Sequence, residues 1–242
     1  MLKLVYCEFL KLKRKKFILL TIFAAILFPI PLTAFAAKGN VKPSWLYSSI
    51  YEFGFFLLLP IVLGILGAIL FLTEKENDTQ KNINSIPVST ANLIIAKIII
   101  LLIFAIIFSL VTIGTTLIGG FLINSVDRIF YRLFLGLVIG IMVAFSTLPV
   151  ITIECLCKKG YIFSIIISFI YAIVNFISVL AISNLLLPLA AVFRWALPYI
   201  ATGATDEFEN WFMSFPICIG ILILSTIVSI TLAVVLKNEQ EI

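Results

Sequence analysis

Six long apolar stretches separated by short polar segments dominate the chain. They run Phe17–Ala37, Phe53–Leu72, Ile98–Ile123, Leu133–Ile153, Tyr161–Ile182 and Phe212–Leu236, and none contains a charged residue. A helix crosses a bilayer with about 20 apolar residues, so each stretch is long enough. Backbone polar groups within lipid must be satisfied inside the segment, which favours helices. The ten-residue alternation of a transmembrane β-barrel is missing. The pattern predicts an all-α integral membrane protein with six transmembrane helices.

Composition agrees. Hydrophobic residues make up 62% of the chain, charged residues 12%, and the mean hydropathy is +1.23. A soluble domain carries about 25% charged residues, so most of this surface must meet lipid or protein. Histidine is absent, which removes the usual neutral-pH acid–base group and the commonest metal ligand.

Charge sets the orientation. Six of the seventeen Lys and Arg residues precede residue 17, an orientation signal rather than a nucleic-acid groove. With the N-terminus inside, the cytoplasmic side holds Lys3, Lys11, Lys13, Arg14, Lys15, Lys16, Lys75, Lys81, Lys97, Lys158, Lys159 and Lys237. The outside keeps Lys38, Lys42, Arg128, Arg132 and Arg194. Twelve against five puts both termini in the cytoplasm. Cys7, Cys155, Cys157 and Cys218 form no disulfide framework and read as free thiols.

Residues 1–16 place Leu2, Val5, Phe9 and Leu12 on one helical face, with Lys11, Arg14 and Lys15 on another. Such a helix suits the inner membrane surface, or serves as a simple positive-inside anchor. The basic start, the apolar run and Ala34-Phe35-Ala36 also resemble a cleavable signal peptide. The run is about twice the length of a short signal core, and we read it as the first span.

The most polar stretch is Thr73-Glu74-Lys75-Glu76-Asn77-Asp78-Thr79-Gln80-Lys81-Asn82, followed by Pro87-Val88-Ser89 and Ala96-Lys97 at the start of span three. An acidic residue just after span two, then a Thr, then Pro-Val-Ser leading to Ala-Lys, resembles the type-2 ABC exporter permeases. The opening Glu8-Phe9-Leu10-Lys11 is similar to the Glu-x-x-Lys core of that family's amphipathic N-terminal helix. Size and layout are most similar to the small permeases of lantibiotic immunity and antimicrobial-peptide resistance.

The resemblance implies one permease domain over residues 1–242. It has an interfacial helix at 1–16, a cytoplasmic coupling loop and helix at 73–97, and re-entrant or interfacial external helices at 183–211. It implies that Glu74, Glu76, Thr79, Lys81, Pro87 and Ser89 take part in coupling to a cytoplasmic ATP-binding subunit. No Gly-x-x-x-x-Gly-Lys-Ser/Thr phosphate loop occurs in the chain. No cofactor is expected on this chain, ATP and Mg being bound by the partner. Half of a full exporter has six spans, so a second permease is implied, a homologue in preference to an identical copy.

The remaining polar positions carry no catalytic set and no metal site. Ser109, Thr112, Thr115, Thr116, Asn175 and Ser178 lie inside spans, where packing is the ordinary role; Asn175, the costliest to expose, is also a candidate for substrate contact. Gly136 with Gly140, and Gly64 with Gly67, permit close helix approach. Glu154, beside Lys158 and Lys159, reads as a solvated interfacial acid. Cys155 and Cys157 alone make a poor metal site. Outside, an apolar stretch too short to cross runs from Leu185 to Phe193, and Trp195, Tyr199 and Trp211 suit headgroup depth. Asp206, Glu207 and Glu209 follow, and with Glu52 they are candidates for drawing in a cationic peptide; loop solubility is the plainer reading. Three functions stay open: export of lantibiotic-like peptides, export of another amphipathic drug, lipid or ion, and sequestration of peptide without transport.

Overall fold

The computed structural model describes residues 1–13, 17–39, 43–76, 89–122, 128–156, 161–181, 186–200 and 211–241. Among these all regular structure is helical. We number the helices α1 (Leu2–Lys13), α2 (Phe17–Leu27), α3 (Pro29–Lys38), α4 (Pro43–Ser49), α5 (Leu59–Glu76), α6 (Thr90–Leu122), α7 (Ile129–Ser146), α8 (Leu148–Leu156), α9 (Tyr161–Ala181), α10 (Pro188–Ile200) and α11 (Phe215–Glu241). A π-helical segment, Ile50–Leu58, joins α4 to α5.

Six helical stretches are long and apolar enough to span a bilayer, as the pattern predicted. Several differ in extent. Span one is two helices, because Pro29 enters at the start of α3 and lacks the N–H that would continue the ladder. Span two starts well before Phe53, running from Ser44 to Phe71 through the π segment. Span four extends from Ile129 to Glu154 and changes helix at Thr147, two residues before Pro149.

The spans are not equivalent. In span two 78% of the apolar stretch is buried, against 17% in span six. Spans two, three and four form the centre; α1, α2, α3, α5, α7 and α11 all pack against α6. Spans one, five and six turn large side chains outward, such as Phe23, Phe169 and Leu224.

The two glycine pairs sit where helices approach closely. A Cβ at Gly136 would lie 2.8 Å from Ile113 Cγ1, and one at Gly140 would collide with Ser109 Oγ. The α7 pair therefore serves packing against α6 within the subunit. The polar residues of α6 are similarly internal: Ser109, Thr115 and Thr116 each donate to a carbonyl one turn back, at 2.7–2.8 Å.

α10 packs into the bundle. Its residues from Leu189 to Trp195 are buried, packed among α7, α9, α11 and the π segment. Trp195 stacks obliquely on Tyr199 and Phe215.

Candidate functional site

The six candidate spans bring both chain ends to one end of the bundle, the end at which α5 stops and α6 starts. α5 continues past the apolar window, which closes at Phe71, and stays helical to Glu76. Glu74 and Glu76 therefore lie in its last two turns. Ser89 stands exposed just before α6, and its Oγ accepts from the Asn92 N–H at 3.4 Å, a helix-starting cap. Thr79, Lys81 and Pro87 lie outside the described residues, as do Asp206, Glu207 and Glu209.

Behind this edge the spans are tied by Lys97, which is fully buried. Its ammonium donates to the Leu70 carbonyl at 2.8 Å and sits 4.5 Å from the Phe71 ring centroid. The Ala-Lys motif thus pins the start of α6 to the end of α5. Lys97→Met keeps the stem but removes the charged donor. We expect it to cost about 1.5–3 kcal/mol, the scale of a hydrogen bond to a charged group, read as a lower melting temperature of the purified protein.

α1 joins the same end. Val5, Glu8 and Leu12 turn toward the bundle, Leu2, Tyr6 and Leu10 turn outward, and Lys3, Cys7 and Lys11 lie exposed on a third side. Phe9 stacks on Phe104 of α6. Val5 and Leu12 therefore face protein while Leu2 faces outward, so the single apolar face read from sequence is divided. Glu8 and Lys11, the Glu-x-x-Lys pair, form an ion pair.

Glu154 corrects the sequence reading. It is 0% exposed, not solvated. Its Oε1 accepts from Ser168 Oγ of α9 at 2.8 Å, and among the described residues Oε2 has no hydrogen-bond partner. Gly64 and Gly67 of α5 make the space: a Cβ at position 67 would lie 2.6 Å from Oε2, and one at 64 would strike Ser168. Ser164 Oγ, one turn from Ser168, is also buried without a partner among the described residues. The sequence signal was there in the glycine pair, but nothing in it named the facing carboxylate.

Asn175 spends its amide on structure. Its Nδ2 donates to the Tyr171 carbonyl at 2.9 Å and its Oδ1 accepts from the Ala190 N–H at 3.3 Å, tying α9 to the first turn of α10. Glu52 lies in the first turn of the π segment and is half-buried. Neither is brought beside the other.

The end opposite the termini holds two buried arginines that sequence reasoning counted only as charges. Arg194 lies within α10, and burial pulls its pKa down from the ordinary value, though a guanidinium remains charged. Arg132 stands in the first turn of α7, with its guanidinium carbon 4.4 Å from the Tyr47 ring centroid. Tyr51 Oη donates to the Arg132 carbonyl at 2.8 Å. Among the described residues no three His, Cys, Asp or Glu side chains converge to hold a metal ion.

These features define a multi-pass helical membrane protein whose polar organisation is concentrated at the two ends of its bundle. The ABC-2 family transporter protein profile matches residues 4–175, and the chain belongs to that family. It is thus the membrane component of a transporter, and the family implies association with an ATP-binding subunit. No curated protein and no solved structure matches it.

Proposed function

We propose that this chain is the membrane subunit of an ATP-driven exporter that removes amphipathic molecules, foremost lantibiotic-like antimicrobial peptides, from a bacterial cytoplasmic membrane. Both termini lie in the cytoplasm, following the twelve-to-five bias of basic residues. The observation that carries the reading is family membership together with the helical extension of α5 past the membrane. That extension and the capped start of α6 bracket the coupling stretch. ATP binding at the partner moves α5 and α6 together, since Lys97 locks them. A second permease, a homologue rather than a copy, completes the transporter. The apolar flanks of spans one, five and six fit cargo that arrives sideways from the lipid.

Peptide cargo is favoured by the acids Asp206, Glu207, Glu209 and Glu52, which suit a cationic partner. A second reading, export of an anionic amphiphile such as a lipid, is favoured by buried Arg132. Purification of the tagged chain in mild detergent is expected to recover an ATP-binding subunit and a second permease. Cells lacking the chain are expected to lose peptide tolerance. A chain that purifies alone under several gentle conditions counts against export. Protection that survives an ATPase-dead partner would instead mean sequestration.

A further inference from the structure

We propose that Arg132 and the first turn of α7 form an anion site that receives a phosphate group at the membrane boundary, that of a phospholipid headgroup. The proposal concerns this chain alone and stands whether or not the export reading does.

Arg132 is 3% exposed, and among the described residues its Nε and Nη1 have no hydrogen-bond partner. Its one described attraction is the Tyr47 ring, which stabilises a cation but neutralises nothing. Among the described residues the ion pair is Glu8–Lys11, at the other end of the bundle. Glu52 follows Tyr51 directly but makes no ion pair with Arg132 among the described residues. A buried charge left uncompensated is strongly destabilising, and arginine cannot escape by losing its proton.

Position makes this worse for the free protein and better for an anion. The N-terminus of a helix carries the positive end of its dipole, so a cation in the first turn of the 18-residue α7 is disfavoured there. Arg128, the residue before the helix, is left-handed with φ 44° and supplies no side-chain cap. The first-turn N–H groups and the guanidinium thus share one preference, a negatively charged oxygen. Tyr51 holds the Arg132 carbonyl, which fixes the backbone from which the guanidinium projects.

Depth selects the source of the anion. Span four has 26 residues, about 39 Å at 1.5 Å per residue, against a hydrocarbon core of about 30 Å. Its first turn therefore overshoots the hydrocarbon by a few ångströms and lies at phosphate level. Phe130 and Phe134, 88% and 68% exposed, turn outward on the other side of the same turn, which puts that turn at the lipid boundary. A guanidinium matches a phosphate in shape and donors.

The test is a titration of the full-length purified chain with phosphatidylglycerol, diacylglycerol and inorganic phosphate, read by melting temperature and native mass spectrometry. Phosphatidylglycerol is expected to bind and to raise the melting temperature, and diacylglycerol, which lacks the phosphate, is not. Arg132→Gln should weaken lipid binding at least tenfold, and Arg132→Lys less. Equal, Arg132-dependent binding of inorganic phosphate would keep the anion site but assign it to a soluble source. Indifference of the wild-type chain to all phosphate-bearing probes overturns the proposal, and needs no variant to fold. It is also overturned if a folded Arg132→Gln chain binds lipid unchanged. A third contrary result is Asp127→Asn, outside the described residues, matching the instability of Arg132→Gln while lipid binding persists in both, which would mean an internal ion pair.

Discussion

Gly67→Val is expected to leave little folded protein. The added side chain must occupy the place of Glu154 Oε2, 2.6 Å from its first carbon, and Ile151 closes the same space at 3.3 Å. α5 belongs to the most buried span, so the helix has no slack direction in which to retreat. Overpacking of this kind costs about 3 kcal/mol at the upper end of its usual range. Displacing a buried carboxylate from its serine donor adds to that. Fluorescence-detected gel filtration and thermal denaturation in detergent give the readout. Gly67→Ala should fall between wild type and valine. The specific claim lies in the pair: Glu154→Ala removes the clashing oxygen, so the double variant with Gly67→Ala should be more stable than the two single effects predict. A coupling of about 0.5–3 kcal/mol is the scale for contacting residues. Strict additivity would mean that the glycine serves something other than the carboxylate.

The second large effect is on function with the fold intact. Glu74→Lys with Glu76→Lys should abolish recovery of the ATP-binding subunit and reduce ATP-driven transport at least tenfold. Both acids stand in the last two turns of α5, where the negative end of the helix dipole disfavours them. Reversing their sign should therefore hold or slightly raise stability, by about 0.3–1 kcal/mol per charge at most. Loss of the partner at unchanged stability would mean that these acids act on something outside the chain. Loss of transport together with a lowered melting temperature would point to a structural role instead, and full coupling in the double variant would remove these residues from the coupling stretch.

The six spans were legible because lipid imposes one requirement that composition alone reveals: about 20 apolar residues without charge. Their ends were less legible. Span two begins at Ser44 because Trp45, Leu46 and Tyr47 pack as a helix ahead of the stretch at Phe53, and amphipathic residues blur the hydropathy edge. The candidate site divided in the same way. Ala96-Lys97 was readable as a motif, and the structure gives it a mechanical meaning through Leu70. Glu154 was misjudged because its neighbours in sequence are lysines, while its neighbours in space are Gly64, Gly67 and Ser168 on two other helices. Asn175 was rightly read as costly to expose, but its partner, the Ala190 N–H, comes from a helix whose burial no local pattern announced. Charge type is written in the sequence; the facing group is written only in the packing.

The π segment in span two sets the angular phase between the two halves of that span. At its end the Leu59 N–H bonds to the Gly54 carbonyl, five residues back, so the wider turns absorb residues that an α-helix would rotate further round its axis. With that offset, Tyr47 and Tyr51 meet Arg132 at one end while Gly64 and Gly67 meet Glu154 at the other. Wound as plain α turns, residues 50–58 would each advance by about 100° and carry the outer stub further round the axis. The glycine seam would keep its register, and the tyrosines would lose the arginine. The span behaves as two gears on one shaft, and the π turns fix how they mesh.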